Sequence, residues 1–424
     1  MQKNALKTAK ELLEFIDASP TAYQAAENLA KELRAIGAKE LFETERWKIK
    51  AGETCFVRRN DSALIAFTVP EKAKGFRVFA CHGDSPSFKV KEHPEQNVRG
   101  KYVTLNTEGY GGMIRSTWLD RPLSAAGRII VRKNGGLVSV PVDLKKPLFL
   151  IPNLAIHMDR GVNEGKAFDL QNDMAPICRI GADGPGFMGL VSKETGVEAE
   201  EILGYDLYLY PVEKGLIWGS EDEFVSSSRL DDLECVFGGF SGFKAAPRKK
   251  YAAVFAMLDN EEVGSGTRQG AASTFLKDTL QRISKAFGYT EEDYMIRIAD
   301  SFLLSADNGH ALHPNHPEKN DPTNVPVPNG GLLLKYSANQ KYTTDGLSSA
   351  FVKDLCRKAG VPCQLFFNRS NVAGGSTLGN ISISQVPIPS ADVGLAQLAM
   401  HSAYETAGTE DVLTLVKVAK TFFE

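Results

Sequence analysis

Three apolar segments, far apart in the chain, are each followed directly by histidine or carboxylate side chains. These polar groups are His82 and Asp84 after 76–81, Asp259, Glu261 and Glu262 after 252–258, and Asp307 and His310 after 302–304. Short apolar runs are typical of buried strands, and in α/β folds functional groups collect beyond the carboxyl ends of parallel strands. The pattern predicts an α/β domain with a polar site at one edge of its sheet.

The predicted secondary structure changes in character twice along the chain. Alternating helices and strands give way to short strands with turn residues, and a hairpin is predicted over 127–142 around the turn 134–136. A chain of 424 residues exceeds the size at which single cores usually stop growing. We therefore predict an α/β domain formed by 1–87 and 224–424, interrupted by a β-rich insertion over 88–223.

The charge balance argues against several classes of partner. The sequence has 49 Lys and Arg against 52 Asp and Glu, a formal net charge of −3. Binding of nucleic acid or of an anionic membrane usually needs a basic surplus, so neither is expected.

The first residues and the cysteines indicate the compartment. The start, MQKNALKTAKELLEF, fits an amphipathic helix rather than a signal peptide or anchor, which predicts a cytoplasmic location. The six cysteines lack CxxC spacing and are expected to be reduced.

Two of the polar groups have the form of a metal centre. A histidine followed two residues later by an acid, as in His82 and Asp84, suits an imidazole ligand whose second nitrogen is held by a carboxylate. The adjacent side chains of Glu261 and Glu262 point apart, so that one can bind a metal while the other faces a water molecule as general base. Such charges are costly at the end of an apolar strand unless they have a role.

Other segments allow two interpretations each. Asp231 and Asp232 begin an apolar helical stretch, either as acids that the helix dipole favours or as a source of a carboxylate bridging two metals. His401 lies on an apolar run, either as a satisfied core histidine or as a ligand. The loop 309–328 is rich in Pro, Asn and His, and loops of this length in compact domains are usually functional or disordered.

Five motifs carry a family resemblance that spans nearly the whole chain. They are, in order, HGDSPSFKV, SSSRLDDL, LDNEEVGS, SADNGHALHPN and LAMHS. Together they resemble the aspartyl aminopeptidase and aminopeptidase I family of dinuclear zinc metallopeptidases. The resemblance implies a zinc-peptidase-like α/β/α catalytic domain with an inserted β-rich dimerisation domain.

The resemblance also implies the metal ligands. His82 and Asp307 would be terminal ligands of one ion, Glu262 and His401 of the other, and Asp231 would bridge both. A thiolate-free set of histidine and carboxylate suits zinc, with cobalt or manganese as alternatives.

Catalytic and substrate-binding roles follow from the same resemblance. Asp84 would orient His82, and Glu261 would take a proton from the attacking water and pass it to the leaving amine. His310 and Lys335 would lie near the bound substrate. His157, in LAIHMDR, would project from one subunit toward the active site of its neighbour in a dimer. The family further implies that such dimers assemble into a tetrahedral dodecamer.

Three positions depart from the family pattern. Gly83 stands where threonine is usual, Asp232 where asparagine is common, and Asn371 where an aspartate is expected. None of them removes a proposed ligand, but Asn371 puts in doubt a carboxylate role at that position.

The sequence thus predicts a metallo-aminopeptidase acting on peptides, with acidic N-terminal residues preferred and neutral ones open. The residues of the pocket for that side chain are not apparent. One alternative is another dinuclear metal amidohydrolase, acting on acylated amino acids. A second alternative is a catalytically silent cage, against which Glu261 and the complete ligand set argue.

Overall fold

The computed structural model describes residues 3–181, 183–247 and 250–424. The helices are α1 (Lys3–Asp17), α2 (Ala22–Ala35), α3 (Phe187–Thr195), α4 (Leu230–Ala245), α5 (Phe275–Ala286), α6 (Glu291–Ala299), α7 (Gly346–Ala359), α8 (Leu378–Ser382) and α9 (Thr409–Phe423). The strands are β1 (Lys39–Leu41), β2 (Thr54–Arg59), β3 (Ala63–Thr68), β4 (Phe76–His82), β5 (Ser87–Val98), β6 (Tyr102–Tyr110), β7 (Pro122–Lys133), β8 (Gly136–Asp143), β9 (Phe149–Leu150), β10 (Ile177–Ile180), β11 (Ile202–Pro211), β12 (Leu216–Trp218), β13 (Phe224–Ser227), β14 (Ala252–Leu258), β15 (Phe302–Ala306), β16 (Gly309–His310), β17 (Leu332–Tyr336), β18 (Cys363–Phe367), β19 (Ser390–Gly394), β20 (Ala396–Leu398) and β21 (Glu405–Gly408).

The described residues form two compact units. The larger unit comprises Met1–Asp84, Gly215–Met400 and Glu405–Glu424, and the smaller one Ser85–Lys214 with His401–Tyr404. The chain passes between them at 84/85, 214/215, 400/401 and 404/405. The sequence-based boundaries at 87/88 and 223/224 remain a prediction. Among the described residues, no helix is both long and apolar enough to cross a membrane.

The larger unit is built on a nine-stranded sheet in the order β1-β2-β3-β14-β4-β15-β19-β17-β18. Its central strands β14, β4, β15 and β19 are parallel to their neighbours in that series. Every residue of β14 and of β15 is buried, as expected for strands covered on both faces. The apolar runs of the sequence are therefore the centre of this sheet.

Helices cover both faces of this sheet. Phe79 and Phe255 belong to a core shared with α1, α2, α4, α7 and α9, whereas Val78 and Val254 belong to one shared with α5, α6 and α8. The alternation follows from the period of two along a strand, which directs successive side chains to opposite faces. This three-layer α/β/α arrangement confirms the predicted fold class.

A small second sheet in the larger unit supports the polar edge of the first. Its order is β12-β13-β21-β20-β16, and β16 runs parallel to β20, with His310 opposite Gln397. Strand β16 follows β15 closely in the chain, so this second sheet begins where the central strand of the first one ends.

The smaller unit is β-rich, as predicted. Its sheet has the order β11-β5-β6-β10-β9-β7-β8, and an additional pairing of β11 with β7 closes it into a barrel-like ring. Strands β7 and β8 form the predicted hairpin, with Lys133 opposite Gly136. Asn134 and Gly135 have φ values of 53° and 79°, the left-handed conformations that a tight hairpin turn requires.

Candidate metal centre

The three central strands bring their polar residues to one edge of the sheet. His82 is the last residue of β4 and lies opposite Leu258, the last residue of β14, in the parallel register. Asp307 directly follows β15, the parallel neighbour of β4 on its other side. The three apolar segments singled out in the sequence are thus adjacent strands.

A buried group of four side chains lies at this edge. His82, Asp231, Asp232 and Asp307 each offer a ligand atom, and these atoms lie within 4.8 Å of one another. The Nε2 atom of His82 lies 3.5 Å from Oδ1 of Asp231. Its Nδ1 atom lies 3.1 Å from the carbonyl oxygen of Asp84, a contact that leaves Nε2 directed at the carboxylates.

Asp84 also fixes the turn that carries the two glutamates. Its Oδ1 accepts the backbone N–H of Glu261 and its Oδ2 that of Glu262, both at 3.1 Å. These glutamates begin a short 3₁₀ turn after β14, preceded by Asn260 in the left-handed region with φ of 59°. Ligand atoms of His82, Glu261 and Glu262 lie within 4.8 Å of one another.

The two aspartates of α4 are held by partners distant in sequence. The backbone N–H of Asp231 donates to Oε2 of Glu405 at 2.9 Å. Oδ2 of Asp232 accepts the backbone N–H of His82 at 3.2 Å. The peptide bond between the two aspartates is cis. Asp232, which the sequence offered beside Asp231 as a possible metal carboxylate but not as one of the five ligands, thus belongs to the buried cluster.

A buried lysine accompanies Asp307. The Nζ atom of Lys335 donates to the carbonyl oxygens of Asp307 and Asn308, each at 2.9 Å, and lies 3.6 Å from Oδ2 of Asp307. Burial lowers the pKa of Lys335, but the acidic groups around it, Asp307 first among them and then Tyr342 and Asp392, together raise that pKa above its usual value. The side chain predicted to lie near the substrate is thus bonded to a proposed ligand.

The electrostatics of the cluster fit a bound cation. Burial raises the pKa of Asp307 and, to about 8, that of Glu261, and charges of neighbouring carboxylates add to both shifts. For His82, burial lowers the pKa, but the carboxylates around it raise the pKa well above its usual value. Crowded buried carboxylates of this kind are stabilised by a divalent cation, and nitrogen and oxygen donors suit zinc.

The remaining predicted residues are placed as follows. His401 belongs to the smaller unit, where its Nδ1 lies 3.0 Å from the carbonyl oxygen of Gly112. His157 lies in an exposed turn of the same unit. His310 is an exposed residue of β16, with its ring centroid 6.2 Å from that of Phe366.

Sequence reasoning missed the side chains that support the cluster. Buried Asn308 donates through Nδ2 to Oε2 of Glu234 and to Oε1 of Gln397, both at 2.9 Å. Its Oδ1 accepts the backbone N–H of Leu395 at 3.0 Å. Only the position of Asn308 directly after Asp307 could have indicated a role, because Glu234 and Gln397 are far away in the chain.

The fold and the cluster define an α/β/α protein with a group of histidine and carboxylate side chains at its strand ends that is able to hold a metal ion. Residues 15–423 match the family model described as aminopeptidase I zinc metalloprotease (M18), and the chain belongs to this family of aminopeptidases.

Individual relatives match this chain over almost its full length. A probable M18 family aminopeptidase 2 of Clostridium novyi (strain NT) is 44% identical over 430 residues, which cover 99% of each chain. A chain in the structure of the Ape4 and Nbr1 complex has a TM-score of 0.96 at 33% identity, covering 99% of this chain and 86% of that one. A chain of the S. cerevisiae mApe1 dodecamer has a TM-score of 0.86 at 30% identity, covering 99% and 97%.

Proposed function

We propose that the chain is a two-metal aminopeptidase. In this proposal His82 and Asp307 hold one ion, Glu262 and His401 the other, and Asp231 both. The observation that carries it is the buried group of His82, Asp231 and Asp307, whose ligand atoms lie within 4.8 Å of one another. Zinc is the expected ion, and when bound the ions supply Lewis-acid polarisation of the scissile carbonyl and of water.

Glu261 is the proposed general base. It takes a proton from the attacking water and returns it to the departing amine. Two features support this role: Asp84 holds its backbone N–H, and burial raises its pKa to about 8. A carboxylate of raised pKa is a stronger base. Bound cations lower the pKa of Glu261 again, because they stabilise its ionised form.

The proposed substrates are peptides with a free N-terminus, acidic residues being preferred and neutral ones accepted. His310 lies on β16, directly after the loop that carries Asp307, and is proposed to contact the substrate. The contacts of Lys335 with Asp307 and Asn308 favour a role in positioning Asp307. His157 is proposed to reach the active site of a neighbouring subunit, within dimers that build a tetrahedral dodecamer. The dodecamer formed by S. cerevisiae mApe1 supports this assembly.

The test is hydrolysis of a substrate panel by zinc-loaded protein beside Glu261→Gln. The panel has free Asp, Glu, Leu and Lys N-termini and an acetylated control. We expect cleavage of the free termini, with Asp and Glu fastest, and a loss of about 10²- to 10⁴-fold in kcat in the variant.

Other outcomes of the substrate panel would contradict different parts of the proposal. Cleavage of the acetylated substrate alone would identify an amidohydrolase of acylated amino acids. A preference for Leu would keep the mechanism and exclude the acidic preference. Equal rates for wild type and Glu261→Gln would rule out Glu261 as the base.

A further inference from the structure

A pocket of about 410 Å³ opens within the larger unit, and one of its lining residues, His310, follows Asp307 by three positions in the chain. Its walls come from three segments, 310–320, 366–375 and 397–399. Strands β16 and β20 meet there, with His310 opposite Gln397. None of the five proposed metal ligands lines this pocket, so it is a separate cavity from the metal cluster.

The charge of the pocket is of one sign. Lys319 and Arg369 line it together with three histidines, and no aspartate or glutamate is among the described residues that line it. Neither Lys319 nor Arg369 forms an ion pair with another residue in the part of the chain that the structure describes. Two acids adjoin lining residues in the chain: Glu318 has its Oε1 3.4 Å from Nδ1 of His316, and Asp321 accepts the backbone N–H groups of Thr323 and Asn324. The pocket therefore offers two exposed cations to an anionic ligand.

The rest of the wall is apolar or small. Phe366, Phe367 and Val372 contribute apolar surface, and Gly375 has open space where a side chain would lie. Pockets with apolar walls and a few polar groups are typical of small-molecule and peptide side-chain sites. An anionic group on a short hydrocarbon stem fits this combination.

Hydrogen bonds connect the pocket to the metal cluster. Gln397, in the pocket wall, accepts from Nδ2 of Asn308 at 2.9 Å, and Asn308 directly follows Asp307. The backbone carbonyls of both Asp307 and Asn308 accept from Lys335. The pocket wall is thus connected, through Gln397 and Asn308, to the segment that carries the proposed ligand Asp307.

We propose that this pocket binds a carboxylate of the peptide substrate, with Arg369 as its main partner and Lys319 as a second one. The proposal rests on the aminopeptidase function proposed above and names the residues that select the substrate. Arg is suited to the role because its guanidinium pairs with a carboxylate through two parallel hydrogen bonds. Lys335 is 2% exposed and is not among the residues that line the pocket, so Arg369 and Lys319 are the cations that face it.

Two carboxylates of a peptide could occupy the pocket, and a substrate set separates them. Asp-p-nitroanilide and Leu-p-nitroanilide differ only in the N-terminal side chain and lack a C-terminal carboxylate. Leu-Gly-Gly and its C-terminal amide differ only in that terminal carboxylate. We expect Arg369→Gln in the zinc-loaded enzyme to lower kcat/KM about 10- to 100-fold for the carboxylate-bearing member of one pair.

The pair that responds identifies the source of the carboxylate. Leu-p-nitroanilide, which carries neither group, should be cleaved as by wild type, and this result shows that the variant is folded and active. Arg369→Lys, which retains the charge, should recover part of the loss. The matched control is Arg357→Gln, an exposed arginine of α7 paired with Asp354, which should change none of the four rates.

The proposal is overturned if both ratios, Asp to Leu and acid to amide, stay unchanged in Arg369→Gln and in the double variant with Lys319→Gln. Wild type that cleaves no member of the set would instead contradict the proposed aminopeptidase function. In that case calorimetric binding of Asp-Ala-amide, Leu-Ala-amide and Leu-Ala to Glu261→Gln, with and without Arg369→Gln, decides the pocket. If Arg369→Gln changes neither the affinity ratio of Asp to Leu nor that of acid to amide, the pocket does not bind the carboxylate.

Discussion

Asp84 connects several parts of the metal centre through one side chain. Its two oxygens accept the backbone N–H groups of Glu261 and Glu262, and its carbonyl oxygen contacts Nδ1 of His82. Asparagine in its place keeps the shape but offers only one acceptor oxygen. One of the two glutamates then loses its backbone anchor.

We therefore expect Asp84→Asn to weaken zinc binding about 10- to 100-fold, the usual cost of removing a group that orients metal ligands. Competition with a chromophoric chelator measures the affinity directly. Asp206→Asn, at an ion pair with Lys89 in the smaller unit, is the control. Equal zinc affinity in wild type and Asp84→Asn would show that Asp84 does not position the ligands.

Lys335 compensates the negative charge of the buried carboxylates around it. It is 2% exposed and is the cation beside Asp307 in a group of buried carboxylates. Removing one partner of a buried ion pair typically costs about 3–5 kcal/mol, because the other charge stays buried. We expect Lys335→Met to lower the free energy of unfolding by about this amount in chelator-treated protein.

Zinc should reduce the effect of Lys335→Met, since a bound cation also compensates the charge of Asp307. Urea unfolding with chelator and with zinc measures both values. Lys353→Met, at an exposed lysine of α7, should be close to neutral in both conditions. The same loss with and without zinc would contradict an electrostatic link between Lys335 and the metal centre.

At the scale of elements, one carboxylate joins the last helix, α9, to the turn before β17 of the nine-stranded sheet. Asp411, in the first turn of α9, accepts the backbone N–H groups of Asn329 at 2.6 Å and of Gly331 at 2.9 Å. Burial raises its pKa from 3.8 to about 7, against the effect of these two hydrogen bonds. Between these pH values the folded chain holds a proton that the unfolded chain releases. The stability from this group is therefore present below about pH 4 and is lost as the pH rises to about 7.

Asp411→Asn removes this titration. We expect the variant to gain stability relative to wild type as the pH rises from 4 to 8, by at most about 4 kcal/mol. Urea unfolding at intervals of pH gives the difference curve. Asp354→Asn, at a partly exposed carboxylate of α7 that pairs with Lys358, serves as control. A difference that stays constant over this range would show that Asp411 keeps an ordinary pKa.

Local sequence patterns predicted the strands and the hairpin. Contacts between residues far apart in the chain could not be predicted from them. The short apolar runs before His82 and Asp307 are typical of buried strands, and a turn sequence precedes Gly136, so both strands and the hairpin could be predicted. The contact of Asp231 with Glu405 joins α4 to β21 and has no local signature. The same is true of the pocket around Arg369, whose three segments meet only in the folded chain.

At the scale of the whole molecule, the proposed roles of Glu261 and His157 come from different subunits. His157 lies in an exposed turn of the smaller unit, free of the constraint that core packing would impose. In a two-fold dimer each subunit gives its own segment to the other and receives one in return. A subunit without His157 therefore keeps its own base and damages the site of its partner.

This reciprocity predicts that two inactive variants restore each other. His157→Ala supplies Glu261, and Glu261→Gln supplies His157, so a mixed dimer contains one complete site. With random pairing after co-expression, we expect about a quarter of the sites to be complete. Activity per zinc measures the recovery, and the two proteins mixed after separate purification are the control. If His157 acted within its own subunit, the co-expressed pair would instead retain only the sum of the two residual activities.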